Sequence, residues 1–173
     1  IYGVANSVNG NSPDRRSVAY NVAPHEYRQT QSANTGYTRP NSAPNGASWP
    51  SVAGYVKGFK KLHTDGLSSV TIDNSRNNSD VFVKLTSISG LESYPVRVFF
   101  IPAFSQFTIN KIRAGSYDIR YRDLDSGSLS KSESFTLQET ETYDGIEYSN
   151  FSMTLYKTQN GNMQTYGLSE GEF

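Results

Sequence analysis

Residues 68–87 read SSVTIDNSRNNSDVFVKLTS, and this stretch decides the fold. Val70 and Ile72 alternate with Thr71 and Asp73. Polar residues 74–79 turn the chain, and Val81, Val83 and Leu85 then alternate with Phe82, Lys84 and Thr86. A period of two sends one set of side chains to a buried face and the other to an exposed face, the mark of a half-buried strand. The rhythm continues downstream. Val96, Val98 and Phe100 form a strand that Pro102 ends, Phe107 and Ile109 lead to the turn at Ala114 and Gly115, and Tyr117, Ile119 and Tyr121 share one face. DLDSG at 123–127 reads as a hairpin loop, Phe135 and Leu137 close another strand, and Phe151, Met153 and Leu155 alternate with Ser152, Thr154 and Tyr156. Asn160-Gly161 is a favoured hairpin turn from which residues 163–166 can pair back. Seven or eight strands about ten residues apart, with no helical stripe, predict an all-β fold: an antiparallel sandwich, Ig-like or prealbumin-like, over residues 65–173. Tyr117 and Tyr121 are expected in its core, with their hydroxyls at the rim.

Upstream of residue 65 the composition changes. Residues 1–64 hold 7 Asn, 7 Ser, 5 Pro and 6 Gly, and the Ile, Leu, Val and Met of residues 1–50 are Ile1, Val4, Val8, Val18 and Val22 alone. So few aliphatic side chains cannot offset the entropy of ordering fifty residues. The prolines favour extended backbone. Residues 1–64 therefore read as a long extended polar arm or linker, ordered only where it lies on the body or on another subunit. The chain begins at Ile1 without Met or leader, which reads as a processed protein or an excised piece.

Charge divides along the same line. Residues 1–64 carry seven Lys and Arg against two acids, and residues 65–173 carry nine against fourteen, so the formal zero is +5 and −5. A basic arm can be held electrostatically on an acidic body, its own or a neighbour's. The balanced total gives no bulk pull toward nucleic acid, and none is expected as a partner. With no Cys there is no disulfide framework, thiol nucleophile or thiolate metal site. No apolar run approaches the roughly 18 residues of a membrane helix, so no direct membrane span is expected.

Residues 104–122, FSQFTINKIRAGSYDIRYR, carry a resemblance. An aromatic strand, a small-residue-plus-Gly turn at Ala114 and Gly115, and the opening Ser116-Tyr117 resemble carboxypeptidase-regulatory-like and transthyretin-like β-sandwich modules, including Cna B-type repeats of surface proteins. Ala114 stands where that family often has Pro. The resemblance implies the sandwich fold and a structural, adhesive or binding role. It also implies a possible Lys–Asn cross-link, with Lys84, Asn150 and Asp118 as candidates by strand order. Each is out of phase with its inward neighbours and expected to face solvent, which disfavours the bond. Residues 80–166 also resemble an uncharacterised C-terminal domain of bacterial membrane-anchored proteins.

Chemistry is sparse. His25 and His63 are the only histidines, too few for a zinc site without Cys and not obviously held for a catalytic relay. The loop acids Asp123, Asp125, Glu139, Glu141, Asp144 and Glu147 read as solvated turn residues, and Asp123-x-Asp125-x-Gly127 lacks the distal Glu of a calcium loop. Lys57, Lys60 and Lys61 form a short basic run that reads as a solvated connector. Asn77 and Asn150 open glycosylation sequons, common by chance in an Asn- and Ser-rich chain.

The expectation is a non-enzymatic structural subunit of an extracytoplasmic assembly (secreted, cell-surface or periplasmic), a filament or surface layer. It would self-associate by laying its arm on neighbouring subunits. Val18, Tyr20 and Val22, and then Val52, Tyr55 and Val56, are the arm residues able to form an added strand. The alternative is a tethered extracytoplasmic module that binds a protein or a carbohydrate. A carbohydrate site would use exposed aromatics, for which Phe82, Phe99, Tyr143 and Tyr156 are the candidates. No cofactor is expected.

Overall fold

A computed structural model gives the fold; it describes residues 36–155 and 168–173, with strand backbone at 3–5, 11–12 and 15–19. The molecule is an all-β sandwich of two sheets. The first holds β1 (Gly3–Ala5), β2 (Asn11–Ser12), β3 (Arg15–Ala19), β5 (Ser68–Asp73), β8 (Gln106–Ile112), β12 (Glu139–Thr142) and β13 (Gly145–Leu155), in the order β2-β3-β13-β5-β8 with β1 and β12 also on β13. The second holds β4 (Gly54–Tyr55), β6 (Val81–Ser87), β7 (Tyr94–Ile101), β9 (Gly115–Asp123), β10 (Leu129–Lys131) and β11 (Phe135–Leu137), in the order β10-β9-β6-β7-β4 with β11 on β9. The long strands are those the period of two predicts. The described residues hold thirteen strands in place of seven or eight, because short arm strands and split edge strands join them. The hairpin at Asn160-Gly161 lies outside the described residues.

One pairing escapes local turn signals. β13 runs parallel to β5, from Asn150 opposite Ser69 to Thr154 opposite Asp73, and parallel to β3 on its other edge. Parallel neighbours need a crossover, here most of the body, and no turn motif announces one.

The main core lies between the sheets. Val70, Ile72, Val83, Leu85, Phe99, Ile109, Ile119 and Met153 fill it, with Tyr117 and Tyr121 buried as expected. Phe135 and Phe151 stack with centroids 3.8 Å apart. Phe99, expected to be exposed, is fully buried at 0 %. The reason is a bulge. The β6–β7 register shifts between Leu85 and Thr86, so that Leu85 faces Arg97 while Val83 faces Phe99. One inserted residue reverses which phase of β7 points inward.

A second core lies on the outer face of the second sheet. Phe82, Val98, Phe100 and Leu124 meet Ala43 and Val56 of the arm, with Ala47, Trp49, Phe59 and Phe173 against them. Phe82 points away from the main core as its phase predicts, yet it is 1 % exposed, correcting its place among the exposed aromatics. The arm residues lack a core of their own, and the sheet lends them one.

Backbone and charge hold residues 36–64 in place. Arg39 bridges Asp80 and Asp125 at 2.5 and 2.9 Å, a local realisation of the basic-arm, acidic-body attraction. Tyr37 lies flat over Gly127, whose φ of +76° suits glycine and where a Cβ would stand 2.4 Å from the ring. Gly54 and Tyr55 pair with Phe100 and Phe99, and the Val56 and Leu62 N–H groups donate to the Val98 and Val96 carbonyls. The arm thus covers the β7 edge, which would otherwise present a row of open hydrogen-bonding groups. At Gly66 the chain crosses so near β8 that a Cβ would lie 2.0 Å from the Ile112 carbonyl oxygen.

Candidate functional site

The composite outer face of the second sheet holds the candidate site. In the β6–β9 register Phe82 faces Arg122 and Lys84 faces Arg120, so two strands present an apolar head and a cationic strip on one side. Segment 40–49 of the arm roofs the apolar head. A turn closed by Gly46 N–H donating to the Ala43 carbonyl and a bridge between Ser42 and Ser48 shape the roof. Trp49 donates its Nε1–H to the Pro40 carbonyl at 2.9 Å, and its ring packs on Phe82 edge-on at 5.3 Å and on Phe100 at 5.7 Å.

A cavity of about 230 Å³ remains between roof and floor, lined by Pro40, Ser42, Pro44, Trp49, Phe82, Arg122 and Leu124. It falls below the range of about 300–1,000 Å³ for drug-sized ligands, and suits one side chain or a single ring. Its wall is apolar apart from Ser42 and Arg122. The Arg122 Nε–H is buried without a partner, as is the Thr86 hydroxyl on the same phase of β6. A side chain with an aromatic or aliphatic body and an acceptor group would complement this wall.

A second cluster joins arm to body. His63, held at φ +53°, places its carbonyl under the Arg113 N–H and Arg97 Nη2. Its ring meets Tyr117 through Nδ1 at 2.8 Å and Tyr94 through Nε2 at 3.0 Å. The Tyr117 hydroxyl already donates to the Arg113 carbonyl at 2.7 Å. Its oxygen must therefore accept from His63 Nδ1–H, which leaves Nε2 bare to accept from Tyr94. Burial, then Arg113 and Arg97, hold His63 below its ordinary value, and burial pushes the Tyr117 hydroxyl up to about 12. The arrangement fixes a neutral imidazole as a clasp between two tyrosine hydroxyls.

Other sequence-read residues scatter. The Asp123 carboxylate accepts from Ser79 and from the Asp125 and Ser126 N–H groups, organising its own hairpin. Among the described residues no group of three or more His, Cys, Asp or Glu is gathered about a metal-sized space. Asn77 is buried and donates to Asn74 and to the Leu155 carbonyl, so its sequon is closed to a glycan in the folded chain. Lys84 and Asn150 lie on different sheets, with Lys84 on the outer face, which separates the cross-link candidates. Asp118, expected at the surface, is buried and paired with Arg120 at 3.0 Å.

Of the assembly-arm residues, Val18 sits in β3 opposite Ser149, and Tyr20 and Val22 lie outside the described residues. Val52 is exposed, while Val56 is 2 % exposed in the second core. Tyr55 packs edge-on to Phe107 at 5.2 Å beneath the Lys61 ammonium. Tyr143 is fully exposed in the β12–β13 turn, as expected, and Tyr156 lies outside the described residues.

The site residues that sequence reading missed are Trp49, Arg122 and Leu124. A signal existed: Phe82, Val98 and Phe100 put apolar side chains on both phases of β6 and β7, the pattern of a sheet covered twice. Compared with family models, curated proteins and solved structures, the chain has no match.

Proposed function

We propose that the chain is a non-enzymatic, extracytoplasmic binding module whose partner is a protein segment, and that the arm serves to build its site. The observation that carries this is the roofed cavity on the outer face, where Trp49, Phe82 and Leu124 surround space for one side chain beside the unpartnered Arg122 Nε–H. Carbohydrate recognition loses support with Phe82 and Phe99, since a sugar platform needs exposed rings and these two are buried. The extracytoplasmic setting is that of the surface modules that residues 104–122 resemble. Trp49 is the only tryptophan and lines the cavity, so its fluorescence reports occupancy directly. Titration with acidic, basic and proline-rich hexapeptides and with an oligosaccharide should give a saturable change for one peptide class. Ser42→Phe, which fills the cavity, should abolish that change. Silence from every peptide overturns the reading, and saturation by the oligosaccharide alone redirects it to carbohydrate.

One observation favours a second reading, assembly through the arm. β1 and β3 add to one edge of β13 by backbone pairing, a contact an arm can make to its own sheet or to a copy's. Light scattering on the full chain and on a chain lacking residues 1–35 separates the readings. Assembly requires a concentration-dependent oligomer that the deletion dissolves.

A further inference from the structure

Beside the cavity, residues 168–173 (LSEGEF) lie on the cationic strip. We propose that Lys84, Arg120 and Arg122, with Phe82 at their head, form a docking site for an acidic peptide bearing an aromatic side chain, and that residues 168–173 occupy it in cis as an internal copy of that ligand. This rests on the protein-binding reading of the outer face and adds the ligand's chemistry and its competitor.

The strip is unusual on physical grounds. Lys84 stands directly opposite Arg120, and like charges across a strand pair repel. Asp118 meets Arg120 at 3.0 and 3.2 Å and leaves Lys84 and Arg122 for another anion. Lys84 sits half-buried in this company, and burial, Arg122 and Arg120 lower its pKa. Such a row favours a cover that supplies negative charge or carbonyl oxygens.

Residues 168–173 supply such a cover. Lys84 Nζ donates to the Phe173 main-chain oxygen, Arg120 Nη1 to the Glu172 carbonyl at 2.5 Å, and Arg122 Nη2 to the Glu170 carboxylate. The Phe173 ring meets Phe82 edge-on at 5.7 Å, with Lys84 Nζ 4.1 Å and Arg122 Cζ 5.0 Å from its centroid. The strip's contacts to residues 168–173 go to main-chain oxygens, a carboxylate and an aromatic ring, the features of any short acidic-aromatic peptide, while Arg120 Nη2 also donates to the Ser93 hydroxyl at 3.1 Å. The segment also shapes itself. Ser169 N–H and Oγ donate to the Glu172 carboxylate at 3.0 and 2.7 Å, and the Glu172 and Phe173 N–H groups donate back to the Ser169 carbonyl at 3.1 Å. Twelve residues of sequence separate it from β13. The Glu170–Arg122 pair is open to water on the Glu170 side, so it is weak and replaceable by an equivalent peptide.

The test uses the full chain and a fluorophore-labelled LSEGEF peptide, read by polarisation. The wild type should bind the peptide weakly. Glu170→Gln with Phe173→Ala, which weakens the internal copy, should tighten binding at least tenfold, and adding Arg122→Glu should abolish it. A peptide with Phe replaced by Ala and both Glu by Gln should not bind. Equal binding by wild type and double variant, or binding indifferent to Arg122→Glu, overturns the proposal. If the double variant fails to fold, the wild type decides. Excess unlabelled peptide should then speed hydrogen exchange at residues 168–173, and unchanged exchange overturns the proposal. A different peptide that shifts Trp49 while LSEGEF stays unbound sinks this proposal alone; Trp49 silent to every probe sinks the reading of the face with it.

Discussion

Phe82→Ala tests whether the arm completes a second core. Phe82 lies on the outward phase of β6, where a solvated linker would leave it in water. Truncating an exposed side chain usually changes stability by within about 0.5 kcal/mol. In the fold, its ring is instead enclosed by Trp49 at 5.3 Å, Phe173 at 5.7 Å and Phe59 at 6.2 Å. Removing a buried Phe side chain costs about 3–5 kcal/mol, the transfer of its atoms plus the cavity left behind. The rings come from both the arm and residues 168–173, so the loss falls on contacts between segments far apart in sequence. With a urea m-value of about 2 kcal/mol/M, the unfolding midpoint should fall by about 1.5–2.5 M at unchanged m. Trp49 fluorescence follows the transition, and its emission before unfolding should move to the red as water reaches the indole. Tyr143→Ala, at a fully exposed ring, is the control and should stay within about 0.5 kcal/mol of wild type. A loss below about 1 kcal/mol for Phe82→Ala would refute the second core, and with it the site built on it.

Three further outcomes follow from local geometry. Gly66→Ala puts a Cβ 2.0 Å from the Ile112 oxygen and 2.4 Å from the Arg113 Cα, both backbone; circular dichroism should show a loss of about 3 kcal/mol or more, while Gly171→Ala, with open space around it, should be close to neutral. Arg39→Ala removes two partly exposed ion pairs and should cost about 1 kcal/mol in dilute buffer and less in 0.5 M salt, which screens surface pairs; Asp80→Ala should cost more, because Asp80 also accepts the Ala103 N–H at 2.8 Å. His63 is held below its ordinary 6.5, so the unfolded chain binds more protons just under that value; stability should be full above about pH 6.5 and fall as pH drops through the lowered value. His63→Gln should remove that slope between about pH 5 and 7 in thermal melts, a window above the range where the lowered Asp65 titrates; a wild-type slope identical to the variant's would exclude the clasp.

The division between what the sequence discloses and what it hides has a physical origin. Strand identity is local. Val70 and Ile72, or Tyr117, Ile119 and Tyr121, declare a buried face from spacing alone, and the sheets place them there. Phase is less local, since the bulge at Leu85 and Thr86 reverses the sense of β7 and turns Phe99 inward without altering the composition of the strand. Coverage is not local at all. Whether Phe82 meets water depends on Trp49 and Phe173, which lie 33 residues before and 91 residues after it in the chain. The aliphatic count of residues 1–50 is correctly too small for a core, yet Ala43 is buried, because the missing partners Val98, Phe100 and Leu124 stand on strands that already had a core on their other side. An apolar side chain on the supposedly polar phase of a strand is therefore a demand for a cover. In this chain the demand is met by residues 40–59 on one side and Phe173 on the other, and about 230 Å³ remains between the arm and the sheet, beside Arg122.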